Sequence, residues 1–173
     1  MKKYIFGYGS LVNNESRFLT INRYTDPIKV VIDKRFGYIR KWNYYNKNKN
    51  IIALGLEKQD NSNNINGILF DTNDDEISLL DKREIGYTKI IIPFEFINFI
   101  SKDKLRNTDN NNSIIYTYIP TKNFILDINN INKNKLNEVY LNKCCNGFLS
   151  HNYSFYESFI DTTYNWNIFL QYI

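Results

Sequence analysis

The chain has one histidine, one methionine, three prolines and two cysteines. Each scarcity closes a line of chemistry. Metal sites built on several histidines are not available to it, because His151 stands alone and the cysteines, Cys144 and Cys145, are neighbours that do not face one way on a helix. Adjacent cysteines also cannot staple distant parts of a fold, so a reduced, cytoplasmic setting is expected. A Ser-His-Asp arrangement would have to draw on Ser10, His151 and a residue such as Asp161, and no nucleophile-elbow pattern surrounds Ser10. No apolar run reaches membrane length, and Met1-Lys2-Lys3 leads at once into a strand-like segment, so neither a spanning segment nor a signal peptide is expected.

What is present is apolar and aromatic. Of 173 residues, 43% are hydrophobic and 16% aromatic, enough for one domain over 1–173 with a full core. The net charge of +4 is modest, and part of it lies in Asn46-Lys47-Asn48-Lys49-Asn50, which reads as a solvated loop and as a weak nucleic-acid patch. Asn, Ile, Lys and Tyr are spread evenly over the chain, as a coding bias would spread them.

The organising stretch is Lys3 to Asn13, an Ile-, Tyr- and Phe-rich run that breaks at Gly7, Gly9 and Ser10. It reads as a buried strand ending in a bare-backbone loop, with backbone angles at the glycines that a Cβ would forbid. Amides gathered in such a loop can hold a carboxylate or a polarised carbonyl oxygen; an ordinary glycine turn is the plainer reading.

Ile28–Asp33 together with Phe36–Trp42 reads as one long or bent strand broken near Gly37. Ile51–Glu57 and Ile65–Phe70 read as strands joined in a hairpin by the polar turn Gln59–Asn64. A helix is expected from a capping box of Thr72 and Asp75 to about Arg83, ended by Gly86. Tyr87–Ile97 follows as a strand with Pro93 at an edge or bulge, then the polar loop Asn107–Asn112 and a strand Ile114–Ile119 stopped by Pro120. From Lys135, Leu136, Val139, Tyr140, Cys144 and Phe148 recur at helical spacing, and Ser154 with Glu157 opens a second helix by a capping box. Strands first and helices last give an α+β class.

Among carboxylates, Glu84 has the most unusual setting, between a helix and a strand and followed by Ile85-Gly86. Burial there would raise its pKa and make it a proton acceptor and donor; a surface glutamate at a helix end is the plainer reading. Arg83 beside it would lower that pKa if turned inward.

Phe6-Gly7-Tyr8-Gly9-Ser10-Leu11, followed by Leu80-Asp81-Lys82-Arg83-Glu84-Ile85-Gly86-Tyr87, resembles the γ-glutamylcyclotransferase superfamily. The resemblance implies a small mixed β-barrel with flanking helices and an enzyme that cyclises a γ-glutamyl amide or peptide to 5-oxoproline without a cofactor. It assigns Tyr8, Gly9, Ser10, Leu11, Val12 and Asn13 to the substrate loop and Glu84 to catalysis, with no metal ligands. Tyr87, Tyr116 and Tyr118 are further candidates for pocket walls, with core as their plainer reading. Asn13 stands where the glutathione-specific branch has Trp, and Arg83–Tyr87 lacks one of that branch's glycines, so γ-glutamyl amino acids or amines are the expected substrates. A non-catalytic small-molecule module and a single-stranded RNA binder are the rival classes. The expected partner is a small γ-glutamyl compound, with neither nucleic acid nor membrane.

Overall fold

Residues 1–100, 112–126 and 138–166 are described by the computed structural model, and no helix among them is long and apolar enough to cross a membrane. The strands are β1 (Lys2–Gly7), β2 (Ile28–Ile32), β3 (Tyr38–Asn46), β4 (Ile51–Lys58), β5 (Ile65–Thr72), β6 (Tyr87–Ile91), β7 (Ile97–Phe99), β8 (Ser113–Pro120) and β9 (Thr163–Tyr164). The helices are α1 (Asn14–Ile21), α2 (Asp74–Arg83), α3 (Glu138–Leu149) and α4 (Tyr153–Asp161).

The apolar opening becomes the middle of a sheet. β1 pairs antiparallel with β5 and parallel with β8, within the six-strand order β6-β8-β1-β5-β2-β7. In β5 every residue from Ile65 to Phe70 is buried, the mark of a strand covered on both faces. A second sheet runs β4-β3-β9. The α+β class therefore holds, with two mixed sheets; among the described residues their ladders do not close into a barrel.

Three connections differ from expectation. The hairpin between Ile51–Glu57 and Ile65–Phe70 is not formed: β4 pairs with β3, while β5 pairs with β1 and β2 in the other sheet. The turn over 47–50 is shorter than the run 59–64, and its Asn50 takes a left-handed conformation (φ 53°) that asparagine tolerates, so the closer partner wins. Ile28–Trp42 is not one bent strand. A 3₁₀ turn at Lys34–Phe36, capped by Asp33, carries the chain from the first sheet to the second. Tyr87–Ile97 splits likewise: Pro93 opens a 3₁₀ turn over Phe94–Phe96, and the halves lie on opposite edges of the large sheet.

Helix starts are displaced by a residue or two. Asn73, not Thr72, caps α2 and forms a reciprocal capping box with Glu76; Asn152, not Ser154, caps α4 by accepting the Phe155 N–H. On α3 the buried face is Cys144, Gly147 and Phe148, while Val139 is exposed. The positions Lys135 and Leu136, and Asn107–Asn111 of the expected polar loop, lie outside the described residues.

Behind β1 the core holds a buried cation. Arg40 has no solvent exposure, and its guanidinium carbon lies 5.1 Å and 4.6 Å from the ring centroids of Phe148 and Phe159. It donates to the Asn66 carbonyl and side-chain oxygens (both 2.8 Å), Thr163 Oγ1 (2.7 Å), Thr162 Oγ1 (2.8 Å) and, more weakly, the Tyr8 carbonyl (3.3 Å). Burial pulls its pKa down to about 9, which leaves it charged at neutral pH. One side chain thus joins both sheets, α4 and the loop after β1. Arg40→Ala should cost about 3 kcal/mol or more, because several buried acceptors lose their donor at once. Urea unfolding measures this, and a loss below about 1 kcal/mol would contradict it.

Candidate active site

Where β1 ends, Tyr8 and Gly9 lead into a 3₁₀ turn over Ser10–Val12. Its bonds run from the Val12 N–H to the Gly9 carbonyl (2.9 Å) and from the Asn13 N–H to the Ser10 carbonyl (3.2 Å), so the amides of Ser10 and Leu11 lie outside them. Gly9 has φ −132°, outside the left-handed region, and close approach excludes a side chain here. A Cβ on it would stand 2.9 Å from the Tyr140 hydroxyl and 3.6 Å from Leu54. On the far side α3 lies against the same loop at Gly147, where a Cβ would meet the Asn13 nitrogen at 2.7 Å. The loop is held between the sheet and α3.

Its outer end is fixed by α1, a helix that sequence periodicity misses because its buried residues are Ser16, Arg17 and Ile21. Asn13 caps it by accepting the Ser16 N–H (3.0 Å). Arg17, almost fully buried, donates to the Leu11 and Val12 carbonyls at 2.8 and 2.9 Å.

Glu84 is the C-terminal cap of α2, and Gly86 (φ 87°) then turns the chain into β6. The glutamate side chain is 16% exposed and lines one cavity with Tyr8, Gly9, Ser10 and Leu11. Phe6, Gly7, Leu54, Tyr87, Tyr118 and Tyr140 complete its walls, and the cavity volume is about 30 Å³. Burial raises the Glu84 pKa, and the cation of Arg83, its Nε 3.3 Å from Oε1, pulls it part of the way back. The other Arg83 nitrogens are engaged: Nη2 donates to Ser10 Oγ and Ser16 Oγ (both 3.0 Å) and Nη1 to Thr20 Oγ1 (2.8 Å). Arg83 therefore ties the glutamate, the loop and α1 together.

The phenols around Glu84 are fixed by their own bonds. Tyr8 donates to the Tyr118 carbonyl (2.7 Å), Tyr87 to the Leu54 carbonyl (2.8 Å) and Tyr118 to Asp81 Oδ1 (2.7 Å). Burial first, with the Glu84 charge among the further causes, raises the pKa of Tyr8, Tyr87 and Tyr140, so they stay neutral. Tyr44 braces this wall, stacking on Tyr87 at 4.3 Å and donating to the Ile85 carbonyl (2.7 Å). A wider outer space of about 230 Å³ shares Ser10, Glu84, Tyr87 and Tyr140 with the cavity and continues between the β3–β4 turn and α3.

Of the residues singled out from sequence, Tyr8, Gly9, Ser10, Leu11, Glu84, Tyr87 and Tyr118 come together around one space. Three do not line it. Val12 is buried in the core, Asn13 serves as the α1 cap, and Tyr116 lies under the Lys89 ammonium at 5.4 Å. Sequence reading did not identify Tyr140 or Leu54 as lining residues; Tyr140 carried only a helix-core signal. His151 packs edge-on against Phe155 at 5.4 Å and does not line the cavity, and both cysteines are free thiols.

No family model matches the chain, and no curated protein matches it by sequence. Solved structures do match by shape. A γ-glutamyl cyclotransferase superposes with a TM-score of 0.62 at 12% identity, over 95% of this chain and 90% of the other. YkqA from Bacillus subtilis gives 0.60 at 16% identity, over 92% of this chain and 53% of its own length. A yeast γ-glutamyl cyclotransferase specific to glutathione gives 0.57 at 13% identity, over 94% and 97%. At these identities the likeness is one of fold: the chain has the fold of the γ-glutamylcyclotransferase superfamily.

Proposed function

On that fold, we propose that the protein is an enzyme of the γ-glutamylcyclotransferase type, releasing an amine or amino acid from a γ-glutamyl amide and leaving 5-oxoproline. The observation that carries the reading is the sharing of one cavity by the half-buried Glu84 carboxylate and the loop Tyr8–Leu11. Glu84 takes a proton from the substrate's α-amino group, whose nitrogen attacks the γ-carbonyl carbon. The new carbon–nitrogen bond closes the ring, the old one breaks, and the proton passes from Glu84 to the departing nitrogen. Nucleophile and electrophile belong to one molecule, so the protein's work is to hold a folded-back conformer. The Ser10 and Leu11 amides are the donors for substrate oxygens, and the Ser10 hydroxyl, itself bonded to Arg83, orients and does not attack.

Release of 5-oxoproline from γ-glutamyl dipeptides, γ-glutamyl-lysine and glutathione tests the reaction, with dipeptides expected to turn over at least as well as glutathione. Binding of these compounds without release would move the protein to the non-catalytic module.

The pH profile carries a signed prediction. Glu84 must be ionised to act, and burial raises its pKa, so kcat/KM should fall on the acid side at a pH above the ordinary glutamate range. Arg83→Gln removes the cation that pulls that pKa down, and the acid limb should move to higher pH. A limb that stays or moves down would contradict the assignment.

A further inference from the structure

The outer space carries charge of one sign except at its floor. Lys49 on the β3–β4 turn, Lys143 on α3 and Arg83 line it, and among the described residues Glu84 is the only acid that does so. Arg83 is committed to Glu84, Ser10, Ser16 and Thr20. Lys49 and Lys143 are both exposed, and neither has a carboxylate partner among the described residues. Other lysines nearby are matched, Lys41 with Glu57 and Lys89 with Asp81. The two unmatched lysines thus line a space whose remaining described walls, Tyr44, Ile51 and Ala53 among them, offer no negative charge to hold them.

We propose that Lys49 and Lys143 are specificity-determining residues that receive a carboxylate on the leaving half of the substrate. The inference rests on the reading of Glu84 and the Tyr8–Leu11 loop given above. With the γ-glutamyl half seated against the Tyr8–Leu11 loop, the bond to be broken lies where the two spaces share Ser10, Glu84, Tyr87 and Tyr140, and the departing group projects outward between the lysines. An amino acid or peptide presents a carboxylate there. A simple amine presents none, and a cationic one meets like charge.

Calorimetric binding to the Glu84→Gln protein separates recognition from turnover, using γ-glutamylalanine and γ-glutamylethylamine, which differ by that carboxylate alone. At low salt the alanine compound should bind about tenfold tighter, since two exposed ion pairs each give up to about fivefold. About 0.5 M salt should shrink the ratio by screening. Lys49→Ala combined with Lys143→Ala should bring the ratio within about twofold, and Lys→Arg at both positions should keep it, a pattern that a merely structural role for the lysines would not give. Equal affinities in the lysine-bearing protein, binding of neither compound, or a preference that survives the double alanine variant would overturn the proposal. If the preference is found while the protein with Glu84 intact releases no 5-oxoproline, the proposed reaction falls and the carboxylate recognition stands.

Discussion

Glu84→Gln is expected to lower 5-oxoproline release by roughly a hundredfold or more, the usual weight of a positioned general acid–base group. The amide keeps the size of the side chain and its place beside Arg83 but can neither accept the α-amino proton nor return it to the leaving nitrogen. The fold should not suffer. A carboxyl whose folded pKa is raised contributes stability below its unfolded pKa and loses that contribution as pH rises through the folded value, so at neutral pH the ionised Glu84 is a burden that glutamine removes. Thermal melting at neutral pH should show a midpoint equal to or above that of the unchanged protein. Turnover near normal, with the fold intact, would remove Glu84 from the chemistry.

Gly9→Val should produce the second large loss, about a hundredfold in kcat/KM with only a small fall in melting temperature. The first added carbon already stands 2.9 Å from the Tyr140 hydroxyl, and the valine methyls reach further into the space between the loop and that ring. Either the loop or Tyr140 must move, and a displacement of about 1 Å in a positioning element is enough for a loss of this size. The cause is separable from general damage. Gly9→Ala should be partly rescued by Tyr140→Phe, which removes the atom in the way, whereas no rescue is expected if Gly9 matters only for its backbone angles. Catalysis by Gly9→Val within a few-fold of normal would show that the loop does not seat the substrate.

The parts of this site that sequence reveals are those that local chemistry dictates. An Ile-, Tyr- and Phe-rich run ending at two glycines reads as a core strand and a loop, and a glutamate between a helix and Gly86 stands out among the carboxylates by its setting. The parts that stay hidden depend on distant partners. Whether β4 pairs with β3 or β5 is decided by competition between turns and by which sheet has room, and no residue in 59–64 records the result. The helix α1 has a polar buried face because it serves the carbonyls of Leu11 and Val12 through Arg17, so the apolar period that reveals α3 is missing from it. Arg40 in a strand and Tyr140 on a helix look like ordinary residues of their elements; only the packing of α3 on the loop and of α4 on β5 gives them work. The helix caps were missed by a residue or two in a chain so rich in asparagine that several neighbouring positions offer a suitable oxygen.

The central claim is that bond breaking follows from attack within the substrate, promoted by Glu84, with neither water nor Ser10 as nucleophile. A single turnover of γ-glutamylalanine in water enriched in oxygen-18, followed by mass spectrometry of both products and protein, tests it directly. Cyclisation predicts 5-oxoproline without the heavy isotope, alanine as the other product, and no mass added to the protein at any time. Glutamate carrying one heavy oxygen, or an acyl adduct on Ser10, would contradict it.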